Sequence, residues 1–317
     1  VSESRDASWD YGLEPGESFE PEGWEEEPFD LTQPHIMTTL GPIDPGALGF
    51  ALHGQRLLTN APSGGATDLD FVLDDLAKAA SELEGYAVTG GQAIVEIGTG
   101  ASGRNIGDLL FVAQRSPVHV VVSTGQVEPR AESGEQSRSM VEEITEGIDS
   151  TTVRAGLIVL TGLQSIESVA TAHRETRAPV LVKLNDRRDV VQAVQTLVGL
   201  GVTGARITVS NVEIKSLTDV LSTGCFVLFE KWASGDRKED DYRAREVAVL
   251  VDSGFEQQLL ISGDLARRSR WLSYGGGPGF VYFIDEVPLM LMEAGLSAQA
   301  VRSVFIDNMA TALTILP

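Results

Sequence analysis

From about residue 46 onward, short runs rich in β-branched residues alternate with longer stretches whose apolar positions recur at helical spacing. Eight of the short runs read as strands: Gly49–Leu52, Ala93–Ile97, Val118–Ser123, Ala155–Leu160, Pro179–Leu184, Arg206–Ser210, Cys225–Glu230 and Leu259–Ser262. Between them, Asp68–Leu83, Ile106–Arg115, Ser137–Gly147, Gln164–Thr176, Asp189–Leu200 and Asp241–Ser253 read as amphipathic helices. Strand and helix alternating eight times predicts a (β/α)8 TIM barrel. An open, doubly wound sheet is the competing architecture, and it places a glycine fingerprint after its first strand. Here the first strand leads into Leu52-His53-Gly54-Gln55-Arg56, which carries no such fingerprint.

In a barrel, chemistry is built at the C-terminal ends of the strands. Those ends supply Gly54 and Arg56, Glu96, Val159, Lys183, Asn211, Glu230 and Asp264, in strand order and without a histidine. Lys183 is the catalytic candidate, because a lysine that loses its proton in a barrel mouth can form a Schiff base with a carbonyl compound. Paired with a carboxylate, it stays charged and inert. Glu96 and Glu230 offer an acid and base pair across the mouth, or else anchors for loop backbones and nearby cations. Asp264 offers a general base, although without a metal to generate hydroxide its water is a poor nucleophile.

The segment Tyr274-Gly275-Gly276-Gly277-Pro278-Gly279 is too glycine-rich for the interior of an element and reads as a loop after the eighth strand. Its backbone N–H groups, with Arg56, offer a phosphate or carboxylate cradle; a lid remnant or interface loop is the other reading. His119 falls within a strand, His173 within a helix and His35 in the linker, and all three are expected to be structural. Cys225, the single cysteine, excludes an internal disulfide and is expected to be a buried small hydrophobe. Trp232 and Trp271 lie just past the last two strands, either covering the mouth or facing another subunit.

Charge changes the picture at the N-terminus. Of a formal charge of −22, the first 30 residues hold eleven acids against one base, Arg5, with three prolines and no apolar period. Residues 1–37 therefore read as an acidic, irregular tail and 38–317 as the barrel. Trp9, Tyr11, Phe19, Trp24 and Phe29 stand among the acids, which suits docking on the protein's own body or on another chain. A surface this acidic repels phosphate backbones and anionic headgroups, so neither nucleic acid nor membrane is an expected partner. Without a spanning run or signal-like start, a cytoplasmic location is expected.

Several local sequences, in their order and spacing, resemble the phosphotriesterase family of the amidohydrolase superfamily. Gly41-Pro42-Ile43 followed by Leu48-Gly49-Phe50-Ala51-Leu52 resembles that family's opening strand, and Gly91-Gln92-Ala93-Ile94-Val95-Glu96 with Gly103-Arg104 its second strand and helix. Glu146-Gly147-Ile148-Asp149 with Arg154-Ala155-Gly156-Leu157-Ile158 resembles the approach to its fourth strand. Ala172-His173-Arg174 with Pro179-Val180 resembles the entry to its fifth. Tyr274-Gly275-Gly276 and Asp307-Asn308 resemble its closing motifs, so the similarity spans roughly residues 38–316.

The resemblance implies two divalent metals held by a His-x-His pair, a carboxylated lysine, two further histidines and an aspartate. Those positions fall here on Gly54 and Arg56, Val159, Lys183, Asn211 and Asp264, with His53 one place early; only the aspartate survives. Protonated Arg56 and Lys183 have no lone pair to give, and Gly54 and Val159 have no donor atom, so no metal or other cofactor is expected. The expected replacement is a charge cluster in which Arg56 and Lys183 pair with Asp264 while Asn211 completes the hydrogen bonds. The same four residues make a candidate site for a small anion.

The function that follows is a catalytically degenerate family member acting as a binding or scaffolding subunit, in a homo-oligomer or in a hetero-oligomer with an active enzyme. The alternatives are a metal-independent lyase, aldolase or hydrolase on an anionic small molecule, and a metal-dependent hydrolase or lactonase with rearranged ligands.

Overall fold

The computed structural model of the chain describes residues 29–59, 68–125, 133–233, 235–263 and 265–316. An antiparallel hairpin comes first, β1 (Ile36–Thr38) and β2 (Gly41–Ile43). Eight parallel strands then run in chain order: β3 (Ala51–Gln55), β4 (Ala93–Glu96), β5 (His119–Gly125), β6 (Leu157–Leu160), β7 (Val180–Val182), β8 (Ile207–Ser210), β9 (Phe226–Trp232) and β10 (Leu259–Gly263). Each pairs with its successor, and β10 lies beside β3. That seam is stitched by a side chain: Gln55 Nε2 donates to Ser262 Oγ and to Gly263 O, both at 2.7 Å. The result is the (β/α)8 barrel that the alternating pattern predicts.

The helices between strands are α1 (Leu76–Val88), α2 (Ile106–Ala113), α3 (Ser133–Thr145), α4 (Ile166–Thr176), α5 (Asp189–Gly199), α6 (Leu217–Leu221) and α7 (Arg237–Leu250). After β10 come α8 (Tyr282–Asp285), α9 (Val287–Glu293), α10 (Ala298–Arg302) and α11 (Asn308–Leu313). Three starts differ from the sequence pattern by four residues or more: α3 begins at Ser133 rather than Ser137, and α1 and α7 begin where an aspartate caps. Asp75 accepts from Ala77 N and Lys78 N at 3.1 Å, so α1 begins there and Leu69–Phe71 forms a separate 3-10 turn. Asp236 accepts from Lys238 N at 2.9 Å and starts α7 ahead of the predicted Asp241. Such caps contribute about 1 kcal/mol each.

Strand alternation sorts the apolar residues into two layers. Outward positions such as Leu52, Ile94, Val120, Ile158, Val180 and Ile261 join the helices in the larger core. Inward positions such as Val95, Val121, Leu157, Leu181, Leu228 and Leu260 fill the barrel. The first β-hairpin and α11 close its N-terminal end. Ile36 is fully buried in the same cluster as Leu48, Met309 and Leu313, Thr39 N donates to Val120 O at 2.8 Å, and His35 N to Ile315 O at 3.2 Å. β1 therefore crosses the boundary expected at residue 38, and Leu31–Pro317 forms one compact unit. Among the described residues, no helix is long and apolar enough to cross a membrane.

Candidate functional site

Register carries the inward alternation to the C-terminal ends of the strands. Lys183, directly after β7, stands beside Ser210 at the end of β8, since Leu181 pairs with Thr208 and Val182 with Val209. Across β9, Ser210 is level with Leu228, which puts Glu230 one inward position further up. The Lys183 ammonium reaches that carboxylate, Nζ to Oε2, at 2.5 Å. Gly54, beside the pair, sits at φ +76°, so a side chain there would be strained, although a Cβ would make only ordinary contact with Glu230 Oε2 at 3.5 Å and Leu228 Cδ2 at 3.4 Å.

Below the pair lies His53, also on β3 and fully buried, with neither ring nitrogen bonded to a protein group. Burial, reinforced by the charge of Lys183, pulls its pKa down to about 3, so the imidazole is neutral. Gln55 Oε1 and Ser210 Oγ are likewise buried without a protein partner. Buried polar atoms of this kind are rare and call for a bound water or ligand. The mouth thus presents an ion pair above a neutral imidazole, an amide oxygen and a hydroxyl.

Sequence reasoning chose Lys183 and Glu230, placed His53 one position away from the expected ligand pair, and missed Gln55 and Ser210. Counting by two from the buried Ala51 gives His53 and Gln55, so the strand period held the signal; matching family positions without a gap displaced it.

The expected pairing of Arg56 and Lys183 with Asp264 falls on a residue outside the described ones; among the described residues Lys183 pairs with Glu230. Asn211, at φ +58°, turns away from the lysine: its Oδ1 accepts from Arg187 Nε at 2.8 Å and its Nδ2 donates to Leu184 O at 3.2 Å. Arg56 acts electrostatically on Glu96. Glu96 itself is buried, accepting from Leu57 N and from Gly98 N at 2.8 Å, which makes it an anchor for the loops after β3 and β4. Its burial outweighs those bonds and the field of Arg56, and raises its pKa to about 7.

The glycine loop is not an anion cradle, because its N–H groups are taken internally. Gly275 donates to Leu272 O, Gly276 to Trp271 O, Gly277 to Ser269 O and Gly279 to Arg270 O, at 2.8 to 3.0 Å. Trp232 and Trp271 are buried within the protein, the latter donating Nε1 to Leu265 O at 2.7 Å. Cys225 is buried, which pushes its thiol up to about 11. His173 donates Nδ1 to Ala178 O at 2.8 Å inside the helical layer, and His119 opens β5.

A family-type binuclear metal centre does not fit these residues. Gly54 and the buried Val159 offer no donor atom, Lys183 is an ammonium held by Glu230, and both ends of the Asn211 amide are taken. Among the described residues, no three His, Cys, Asp or Glu side chains converge as a metal-holding group.

The fold and sequence nevertheless place the chain in known company. The phosphotriesterase homology protein of Escherichia coli is 26% identical over 82% of this chain and 96% of its own length. The bovine N-acetyltaurine hydrolase of Bos taurus is 25% identical over 86% of this chain and 96% of its own. A crystal structure of a lactonase from Listeria monocytogenes superposes with a TM-score of 0.81 at 23% identity, covering 89% of this chain and all of that one, and so shares its fold. Residues 34–313 match the model of the phosphotriesterase family, and the chain belongs to that family.

Proposed function

We propose that this protein is a phosphotriesterase-family barrel that has given up metal-dependent hydrolysis and works as a non-catalytic binding subunit, in the cytoplasm and in complex with an active enzyme. The observation that carries the reading is the Lys183–Glu230 ion pair at 2.5 Å, standing where the resemblance puts a metal ligand. An ammonium cannot coordinate a divalent ion while protonated, and freeing it would leave Glu230, whose side chain is 12% exposed, without its cation. The pair puts an ammonium at the mouth, its charge balanced by the Glu230 carboxylate. Exposed apolar side chains on α7 and α9, Tyr242 and Val249 on one and Leu289 and Met292 on the other, support a subunit role by offering surface to a partner.

Relatives carry names that denote hydrolysis of N-acetyltaurine and of lactones, so those substrates and an organophosphate triester form the test. The proposal predicts no turnover above background for the purified chain, with or without added zinc, manganese or cobalt. Metal-stimulated turnover that disappears in a Glu230→Gln variant would reverse it.

A second reading, a metal-independent enzyme acting on an anionic carbonyl compound, draws on the neutral His53 within the field of Lys183. Borohydride trapping of a Lys183 adduct would favour it, whereas the ion pair that engages Lys183 with Glu230 opposes it.

A further inference from the structure

Beside the mouth, between the outer face of β9 and helices α6 and α7, a cleft of about 160 Å³ opens to solvent. Its floor is apolar, formed by Val212, Leu217, Val227 and Phe229. Its rim carries three cations from three different elements: Arg187 from the loop after β7, Lys231 from β9 and Arg243 from α7.

Their pairing decides what the rim can do. Arg243 is taken, with Nη1 donating to Asp240 Oδ1 at 2.8 Å and Nη2 to Glu239 Oε2 at 3.1 Å. Arg187 uses only Nε, on the neutral Asn211, and its two terminal amino groups have no partner among the described residues. Lys231 has neither a hydrogen bond nor an ion pair among the described residues. Of the two carboxylates in the lining, Glu230 is held by Lys183, while Glu246 lies near Arg243 and bonds to Tyr242. Two cations without a carboxylate bonded to them among the described residues are thus left over an apolar floor, in a chain whose acids outnumber its bases by 22. Burial and the like charges of Arg187, Arg243 and Lys183 lower the pKa of Lys231 against an opposing attraction from Glu230, and an incoming anion would add to that attraction.

We propose that this cleft is a binding site for a small amphiphilic anion, with a short aliphatic chain on the Val212–Phe229 floor and a carboxylate or phosphate head shared by Arg187 and Lys231. A guanidinium fork suits either head, and the cleft is smaller than the roughly 300–1,000 Å³ of sites for drug-sized ligands, which limits the chain. The site adjoins the mouth, sharing Leu228 and Glu230 in its lining, and the binding proposed does not require that the mouth hydrolyse anything.

The test is calorimetric titration and ligand-observed NMR of the full chain with hexanoate, hexyl phosphate, hexanol, hexylammonium and inorganic phosphate. Saturable binding of one hexanoate or hexyl phosphate per chain is expected, with hexanol and hexylammonium at least about tenfold weaker. Lys231→Gln and Arg187→Gln, both at the surface, should each weaken binding of the anion by about tenfold, and Leu217→Trp should abolish it by filling the floor. The preferred head, carboxylate or phosphate, identifies the class of ligand. The proposal is overturned if hexanol binds as tightly as hexanoate, if inorganic phosphate binds as tightly as hexyl phosphate, or if both charge variants retain wild-type affinity.

Discussion

The two ends of this barrel are made of the same eight strands and filled in opposite ways. At the N-terminal end, Ile36, Leu48, Met309 and Leu313 are buried against one another, sealed by a hairpin and a helix, with Thr39 Oγ1 in the hairpin buried without a protein partner. At the C-terminal end, His53, Gln55 and Ser210 are equally buried but keep polar atoms without a protein partner, under the Lys183–Glu230 pair. A closed apolar plug stabilises; orphaned polar groups cost stability and persist where something else is served. The contrast follows the division of labour known for such barrels, stability below and function above.

The contrast is tested most severely by truncating each end. Leu313→Ala should cost about 2–5 kcal/mol of unfolding free energy in urea titrations, because it opens a cavity in a sealed core. Ser210→Ala, which removes a buried hydroxyl without a protein partner, should leave stability unchanged or raise it. A loss as large as that of Leu313→Ala would show that the mouth is structurally sealed too.

Protonation sharpens the comparison within the upper end. Glu96 is raised from 4.5 to about 7 in the fold, so its contribution is full below 4.5 and declines as pH rises through about 7, by roughly 3 kcal/mol. His53 is lowered from 6.5 to about 3, so its contribution is full above 6.5 and is lost as pH falls toward 3. Between 4.5 and 6.5 the two slopes oppose. Glu96→Gln should therefore make stability rise more steeply with pH over that window, and His53→Leu should make it fall. Parallel profiles for wild type and both variants, measured by urea midpoint against pH, would contradict the burial of these groups.

A smaller effect is expected for the ion pair itself. Lys183 is 32% exposed, so Glu230→Gln should cost about 1 kcal/mol or less after solvent screening. Replacing both partners, as Lys183→Met with Glu230→Leu, should be close to neutral. Of similar size, Asp75→Ala should remove about 1 kcal/mol by uncapping α1.

Which parts were legible in the sequence follows from the same physics. Seven of the eight barrel strands show as apolar, mostly β-branched runs, whereas β3, with polar His53 and Gln55 facing inward, shows only through its first two residues, which end the predicted Gly49–Leu52. β1, β2 and α6 do not show, since three- and five-residue elements are too short for a period. The segment after β10 breaks into α8 to α11, each too short to display an apolar face. At the site, Lys183 and Glu230 are legible as strand-end residues, but their pairing is not, because it depends on the stagger between β7 and β9. Asn211 escaped for a local reason: a left-handed backbone turn redirects its amide to Arg187. The glycine loop misled because glycines suggest free N–H groups, whereas here they let the chain fold back onto its own carbonyls.

The central claim is that charge in the barrel mouth comes from Lys183 rather than from metal. It is tested most directly by measuring zinc, iron, manganese and cobalt per chain, by inductively coupled plasma mass spectrometry, in protein purified from metal-supplemented cells. The donor set predicts fewer than about 0.1 equivalents of any of them. One or two equivalents per chain, lost in a Glu230→Gln or His53→Leu variant, would contradict it and return the mouth to metal chemistry.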